Sequence, residues 1–225
     1  MKNFKELAFL LGAGALAILF SCSKMDDTYK QFVVPNGITY IGKAKNVFTN
    51  AGRERIKLSW VSKDPKANMA RVYWNNKADS LDVPVLKTGA TDTTSVIVPN
   101  LSEGTYVFQI YTFDKEKNKS IPVEAIGASY GDVYEEFLNN RVITKITKTA
   151  DTAFISILSV NNNSVGTKFV YTNVNGVKVD TLMRAIAETI IKLRDMNADT
   201  SFTYQTLYVP QTSIDTFYSK TNAYP

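Results

Sequence analysis

Apolar and polar residues alternate with a period of two along much of the chain, beginning near residue 38. The stretch RIKLSWVS (55–62) places Ile56, Leu58 and Trp60 on one side and charged or hydroxyl side chains on the other. Successive side chains of a β-strand point to opposite faces of a sheet, so this alternation predicts strands that bury one face. The chain is therefore expected to be rich in strands that pack around sheet cores.

Two tryptophans mark the inner faces of successive predicted strands. The stretch ARVYWN (70–75) repeats the alternation with Val72 and Trp74, after the strand that carries Trp60. A polar segment with Pro65 separates the two strands and suits a turn. We expect both indole rings in a packed core; the alternative is that one of them stacks on a sugar at the surface.

A third signal lies between residues 93 and 131, where one strand ends, a turn follows and another strand begins. The spacing of Leu101, Gly104 and Tyr106 resembles the tyrosine corner of fibronectin type III and immunoglobulin-like domains. In those domains the phenol bonds to nearby backbone, and the resemblance implies a seven-stranded β-sandwich. We therefore predict a fibronectin type III-like sandwich over residues 38–130.

The alternation breaks at GDVYEEFLNNR (131–141), which predicts a short linker helix. Asp132 and Glu135 have the spacing of a capping box at a helix start. Val133 and Phe137 are four residues apart and would share one face, which we expect to pack between two domains. The alternative is a charged helix that contacts a partner.

Residues 142–225 repeat the strand pattern less clearly and predict a second fibronectin-like sandwich. Asn175 and Gly176 suit a type I′ turn between two strands, and Tyr204 takes about the place that Tyr106 holds in the first half. The fold class is thus predicted as all-β, with two tandem fibronectin type III/immunoglobulin-like β-sandwiches joined by a short helix. One strand of this half is expected to carry three aromatic rings on a single face, namely Phe202, Tyr204 and Tyr208.

Residues 182–193 allow two interpretations. Ile186, Ile190 and Leu193 would line one face of a helix, whereas Ile190 and its neighbours would equally form a strand before a turn at 197–200. We favour a loop followed by a strand.

The composition argues against catalysis. The chain contains no histidine, which removes the commonest general base and the usual zinc ligand. The sequence GASYG (127–131) has the form of a nucleophile elbow, but that motif needs a histidine to accept the serine proton. Gly127 and Gly131 are instead expected to be loop glycines, and Glu135 and Glu136 are sequence neighbours, not a converging acid/base pair. We predict no enzyme, no cofactor and no metal site.

The charge pattern excludes one further class of partner. The net charge is +5, but the basic residues are scattered among acids. A nucleic-acid-binding segment would show a run of basic residues, so we predict no nucleic acid partner.

The start of the chain predicts its location. Cys22, the one cysteine, follows Lys2, Lys5 and an apolar run over residues 7–20. A run of that length is too short for a membrane span but suits a signal-peptide core, and LAILFSC resembles a lipobox. We predict a lipoprotein signal peptide over residues 1–21 and a lipid on Cys22 that holds the protein at a membrane. The alternatives are a short membrane anchor, or a secretory signal with an incidental cysteine.

The segment after the cysteine, a predicted tether over residues 22–37, contains SKMDDTYK and resembles the acidic export tags of Bacteroidota lipoproteins. With RIKLSW, ARVYWN and the closing TLYVP and SIDTFYS, it resembles a Bacteroidota outer-membrane lipoprotein family of unknown function with fibronectin type III-like domains. Members of that family are thought to accompany glycan-utilisation systems. The resemblance implies an outer-membrane location, with the cell surface preferred over the periplasmic leaflet.

Two functions follow as hypotheses. The first is a surface module that captures glycan or helps a partner transporter, with Tyr73, Tyr111 and Phe113 alternating away from the core face. Isolated surface aromatics are normal on a sandwich, so the sequence assigns none of the three as a site. The second is a structural spacer or assembly subunit that binds an outer-membrane protein, for example by strand addition at a sheet edge.

Overall fold

The computed structural model describes residues 37–87, 89, 92–159, 163–184 and 187–225. Their regular secondary structure is almost entirely β-strand. The predicted signal peptide, Cys22 and the predicted tether up to residue 36 lie outside the described residues, so lipidation and export stay predictions. In the described part of the chain, no helix is long and apolar enough to cross a membrane.

The first half of the described chain contains seven strands: β1 (Lys45–Arg53), β2 (Arg55–Ser62), β3 (Met69–Trp74), β4 (Asp79–Pro84), β5 (Asp92–Val98), β6 (Gly104–Phe113) and β7 (Val123–Tyr130). Their order is β4-β3-β6-β7-β1-β2-β5. Neighbours pair antiparallel except β7 and β1, which pair in parallel where Gly52 meets Ser129 and Arg53 meets Tyr130. A four-stranded layer and a three-stranded layer are therefore joined by one short parallel contact, which confirms the predicted sandwich.

The core of this half lies between the two layers. Trp60 of β2, Val72 of β3 and Phe108 of β6 are completely buried there. Trp74 is half-buried at the rim of the core, with its ring 6.3 Å from that of Phe108. The prediction of two core tryptophans is confirmed for Trp60, whereas Trp74 also reaches the surface.

The tyrosine corner forms as predicted. The Tyr106 hydroxyl donates a hydrogen bond of 3.0 Å to the carbonyl oxygen of Ser102, four residues earlier. The Tyr106 ring stacks on Phe108 with 6.2 Å between centroids. This bond fixes the chain where it enters β6.

The G-x-S-x-G sequence is structural. Gly127 lies inside β7 and not in a loop as predicted. Glycine fits there because a side chain would press on β2: an added Cβ would lie 3.0 Å from Cγ2 of Ile56. Ser129 is buried and donates to the carbonyl oxygen of Leu101 at 3.1 Å. Gly131 caps the start of the following helix.

That helix, α1 (Asp132–Glu136), is shorter than the predicted linker helix, and its apolar face was predicted wrongly. Its N-cap residue, Gly131, has no side chain to bond, so the predicted capping box does not form; the carboxylate of Glu103 instead accepts from the backbone N–H of Tyr134 at 3.1 Å. Val133 and Phe137 are 57% and 78% exposed. The aromatic residue of α1 that packs inward is Tyr134, with its ring 5.2 Å from that of Phe217.

The second half contains eight strands: β8 (Ile143–Lys148), β9 (Thr152–Ile157), β10 (Ser164–Thr172), β11 (Lys178–Met183), β12 (Ile190–Arg194), β13 (Phe202–Tyr208), β14 (Phe217–Tyr218) and β15 (Asn222–Tyr224). One sheet has the order β12-β9-β8; in the other, β11-β10-β13 continues into β14, and β15 also pairs with β13. Phe169, Ile155 and Leu193 fill the core between them. The loop-then-strand prediction for residues 182–193 is confirmed by β12.

Two local predictions for this half need correction. The β10–β11 hairpin exists, but within residues 173–177 only Gly176 has a positive φ (+78°), so the turn is not type I′. The Asn173 side-chain oxygen instead accepts from the backbone N–H of Val177 at 2.8 Å. Tyr204 stacks on Phe169 in the core, 5.9 Å away, and does not repeat the corner of Tyr106.

The two halves meet at a polar and aromatic junction. The carboxylate of Asp215 accepts hydrogen bonds from the backbone N–H of Arg53 at 2.8 Å and from Nε of Arg55 at 2.9 Å. Gly52 leaves the space for this carboxylate, because an added Cβ would lie 2.7 Å from Asp215 Oδ2. Beside it, the Phe217 ring packs against Tyr134 and Tyr130.

Candidate ligand-binding face

Three aromatic side chains project from the outer face of the β4-β3-β6-β7 layer. Tyr73 is on β3, and Tyr111 and Phe113 are on β6, at positions that alternate with the buried residues of both strands. The register pairs Arg71 with Tyr111 and Tyr73 with Gln109. Tyr73 and Tyr111 are therefore diagonal neighbours across one antiparallel pair, a spacing that large side chains bridge.

The three rings, which we call the aromatic face (Tyr73, Tyr111 and Phe113), are held in place by their surroundings. The rings of Tyr73 and Tyr111 meet edge to face, with 5.8 Å between centroids and 89° between planes. The guanidinium of Arg71 lies over Phe113, 5.9 Å from the ring centroid. All three aromatic residues are half-buried, so their exposed parts are presented on a fixed surface.

Two lysines flank Tyr111. Nζ of Lys77 lies 5.5 Å from the Tyr111 ring centroid and donates to its hydroxyl at 3.3 Å. Nζ of Lys119 lies 6.0 Å from the same centroid. Both are cation–π contacts with a single ring.

The nearby arginine is neutralised, in contrast to the lysines. Arg71 makes two hydrogen bonds to the carboxylate of Asp82, one of them NH2 to Oδ2 at 2.7 Å. The hydrogen bond from Arg71 lowers the pKa of Asp82, and the pKa of Arg71 is raised in turn. Among the described residues, neither Lys77 nor Lys119 has a carboxylate within ion-pair distance.

Lys77 is carried by an unusual turn between β3 and β4. Asn75, Asn76 and Lys77 form a 3-10 turn in which all three residues have a positive φ, +50°, +53° and +68°. The side-chain amide of Asn75 donates to Asp79 at 2.6 Å and closes the turn. Asparagine tolerates this left-handed conformation, but it is uncommon for lysine.

Lys119 is carried by the β6–β7 loop, which is pinned by a buried carboxylate. Asp114 is 6% exposed and accepts from both the backbone N–H and the side-chain amide of Asn118, each at 2.8 Å. Phe113 and Lys119 form an isolated bridge across the loop base. These contacts fix the backbone that carries the Lys119 side chain.

Two adjoining depressions lie on this surface. One, of about 240 Å³, is lined by the aromatic face with Arg71, Lys77 and Lys119. The other, of about 280 Å³, shares Tyr73 and Lys77 and adds Trp74, Asn76, Val107 and Gln109. Each is slightly smaller than the usual lower size of a small-molecule pocket, about 300 Å³. Because Tyr73 and Lys77 line both depressions, the two form one shallow groove.

The groove offers stacking, hydrogen bonding and positive charge. In the part of the chain that the structure describes, no three histidine, cysteine, aspartate or glutamate side chains are grouped closely enough to hold a metal ion. The sequence reasoning identified the three aromatics but missed both lysines. The positions of the two lysines depend on the conformation of two loops, which strand alternation does not report.

Comparison with known proteins adds a family. The chain matches the family DUF4998, described as a domain of unknown function, over residues 22–217. It is similar to a two-domain fibronectin type III segment of chicken tenascin, with 14% identity and a TM-score of 0.35, over 81% of this chain and 98% of that one. It is also similar to the FN1–FN3 domains of chicken CNTN1, with 14% identity and a TM-score of 0.39, over 83% of this chain and 67% of that one. No curated protein matches it. The chain belongs to the DUF4998 family.

Proposed function

We propose that this protein is a non-catalytic, lipid-anchored cell-surface module that binds glycan, as an accessory to glycan capture or utilisation. It would consist of two sandwiches, over residues 38–130 and 142–225, with the lipid on Cys22. The observation that carries the glycan proposal is the meeting of Tyr73, Tyr111 and Phe113 on one outer face above a shallow groove.

The physical argument is one of preorganisation. A sugar ring presents a C–H face that packs on an aromatic ring and hydroxyls that need hydrogen-bond partners at its edge. Tyr111 offers both, because its ring is half-exposed and ammonium and phenol groups surround it. Side chains already fixed by packing lose little conformational freedom on binding, so a shallow site of this kind still gives useful affinity.

The anchor part of the proposal rests on the sequence around Cys22. A thiol that carries lipid would keep the module at the outer membrane, with the cell surface as the proposed side and the periplasmic leaflet as the alternative. Cells that express the Cys22→Ala variant should lose label from an alkyne fatty acid and release the protein from membranes. Unchanged labelling in that variant would overturn the anchor proposal.

Binding is tested with soluble protein that begins after Cys22, screened against immobilised plant and host polysaccharides. We expect saturable binding to one glycan class, and at least a tenfold loss of affinity in Tyr111→Ala. Phe137→Ala is the matched control, because Phe137 is a more exposed aromatic residue just after α1 and its loss should leave affinity unchanged. Circular dichroism and a melting curve establish that each variant is folded.

Two results would overturn glycan capture. One is that the folded protein binds none of the polysaccharides in the screen. That result favours a spacer or assembly subunit, whose protein partners would then be sought in outer membranes. The other is binding that Tyr73→Ala, Tyr111→Ala and Phe113→Ala all leave intact, which would place the glycan elsewhere.

A further inference from the structure

We infer that the glycan is acidic, with carboxylate or sulfate groups that bind between Lys77 and Lys119 on either side of Tyr111. This inference rests on the proposed function and names its substrate class. It starts from the two lysine contacts with one ring, 5.5 Å and 6.0 Å from its centroid.

The charges on the face are unevenly compensated. Arg71 is paired with Asp82, and Glu124 on β7 accepts a hydrogen bond from the neutral amide of Gln109 at 2.9 Å. Lys77 and Lys119 contact only ring and phenol groups among the described residues. Two like charges held beside one ring repel each other, and an anion placed between them relieves that repulsion.

The backbone under Lys77 supplies a second, independent observation. Its φ of +68° belongs to the left-handed region, where glycine or asparagine is the favourable choice. Lysine nevertheless occupies this position, after two asparagines that are also left-handed. Strained backbone conformations cluster at functional sites. Here the turn directs the ammonium group of Lys77 onto the Tyr111 ring.

Acidity distinguishes this ligand from a neutral glycan. A neutral sugar would use the lysines only as hydrogen-bond donors, and an amide side chain would serve as well. A carboxylate or sulfate accepts charge-assisted hydrogen bonds, which are shorter and roughly twice as strong as neutral ones. Binding should therefore depend on salt, since the groove is open to solvent and the Debye length is about 10 Å at 0.1 M salt.

The test uses two pairs of polymers that differ in charge and share a backbone. Polygalacturonate is compared with its methyl ester, and dextran sulfate with dextran, by isothermal titration calorimetry. We expect the acidic member of at least one pair to bind at least tenfold more tightly than its neutral form. The pair that shows the difference tells whether the lysines take carboxylate or sulfate.

Variants connect the difference to the two lysines. Lys77→Met and Lys119→Met should each weaken acidic binding about tenfold and any neutral binding much less, because a neutral sugar loses only a hydrogen-bond donor. Lys192→Met is the matched control: Lys192 makes the same kind of cation–π contact, 5.7 Å from the Phe154 centroid, in the second half of the chain. That variant should bind like wild type.

The outcomes separate the two proposals. Equal binding of acidic and neutral forms overturns the acidic inference and leaves glycan capture standing, whereas no binding to any polysaccharide in this test or the screen overturns both. Acidic binding that survives both lysine substitutions places the charge recognition elsewhere and overturns the inference. Equally tight binding of polyglutamate would show a general polyanion surface, which also overturns it.

Discussion

Asp215 holds Arg55 across the junction of the two halves, with the guanidinium Nε 2.9 Å from one carboxylate oxygen. The two residues are 160 positions apart in sequence. The same carboxylate accepts the backbone N–H of Arg53, so a single side chain ties β1 and β2 of the first half to the segment before β14. The junction is thus a specific contact and not a loose linker.

The first prediction concerns this carboxylate. Asp215→Asn removes its charge and should lower the free energy of unfolding by about 1–3 kcal/mol, because a hydrogen bond to a charged group is lost and its donors are left poorly paired. Urea unfolding measures the change. Asp180→Asn breaks the exposed pair with Lys168 and should cost less than about 1 kcal/mol; equal effects of the two substitutions would contradict the prediction.

The second prediction is a pH dependence. The hydrogen bond from Arg55, followed by that from the Arg53 backbone, lowers the pKa of Asp215 below its ordinary value. A carboxyl with a lowered folded pKa adds stability above its unfolded pKa, about 3.9, and that stability is lost as the pH falls through the folded pKa. The stability difference between wild type and Asp215→Asn should therefore be constant from about pH 7 to about pH 5 and shrink as the pH falls below the unfolded pKa of about 3.9. A difference that stays constant in acid would argue against it.

The third prediction tests the tyrosine corner. Tyr106→Phe removes the bond to Ser102 and should cost about 0.5–1.5 kcal/mol in urea unfolding, the usual net value of one hydrogen bond. Tyr204→Phe is the control, because the Tyr204 hydroxyl makes no hydrogen bond within the described residues and its ring stacking is kept. If the control costs as much as Tyr106→Phe, the corner bond contributes nothing.

The fourth prediction concerns the buried guanidinium of Arg141. This residue is 1% exposed, and its guanidinium donates to the carbonyl oxygens of Leu158 at 2.9 Å and Glu188 at 2.8 Å. Burial lowers the pKa of Arg141. Arg141→Met keeps much of the volume but leaves both carbonyls without donors, so we expect a loss of about 2 kcal/mol or more, measured by urea unfolding. An equally stable methionine variant would show that the apolar replacement compensates.

The fifth prediction separates stability from binding at Lys77. Lys77→Gly should have a free energy of unfolding about 1 kcal/mol higher than Lys77→Met, because both variants lose the ammonium contacts with Tyr111 and only glycine adopts the left-handed conformation without a Cβ penalty. Both variants should lose the preference for acidic polysaccharide. A glycine variant that is less stable than Lys77→Met would remove the strain argument.

Sequence reasoning succeeded where the signal is local and repeated. Alternation identified the strands around Trp60 and Val72, and the Leu101–Tyr106 spacing identified the corner. It failed at α1, because five residues are too few for a 3.6-residue period to reveal which side is buried. It also had no means to pair Arg55 with Asp215, since nothing in either neighbourhood indicates the other.

The position of Asp215, well after the seven strands of the first half, has a consequence for the order of folding. A chain that emerges from its amino terminus presents β1–β7 long before residue 215, and domains made first tend to fold first. The first half can close its core before residue 215 is made, yet Arg53 and Arg55 gain their carboxylate partner only afterwards. A product cut short before Asp215 should therefore keep the first sandwich but lack this contact between the halves.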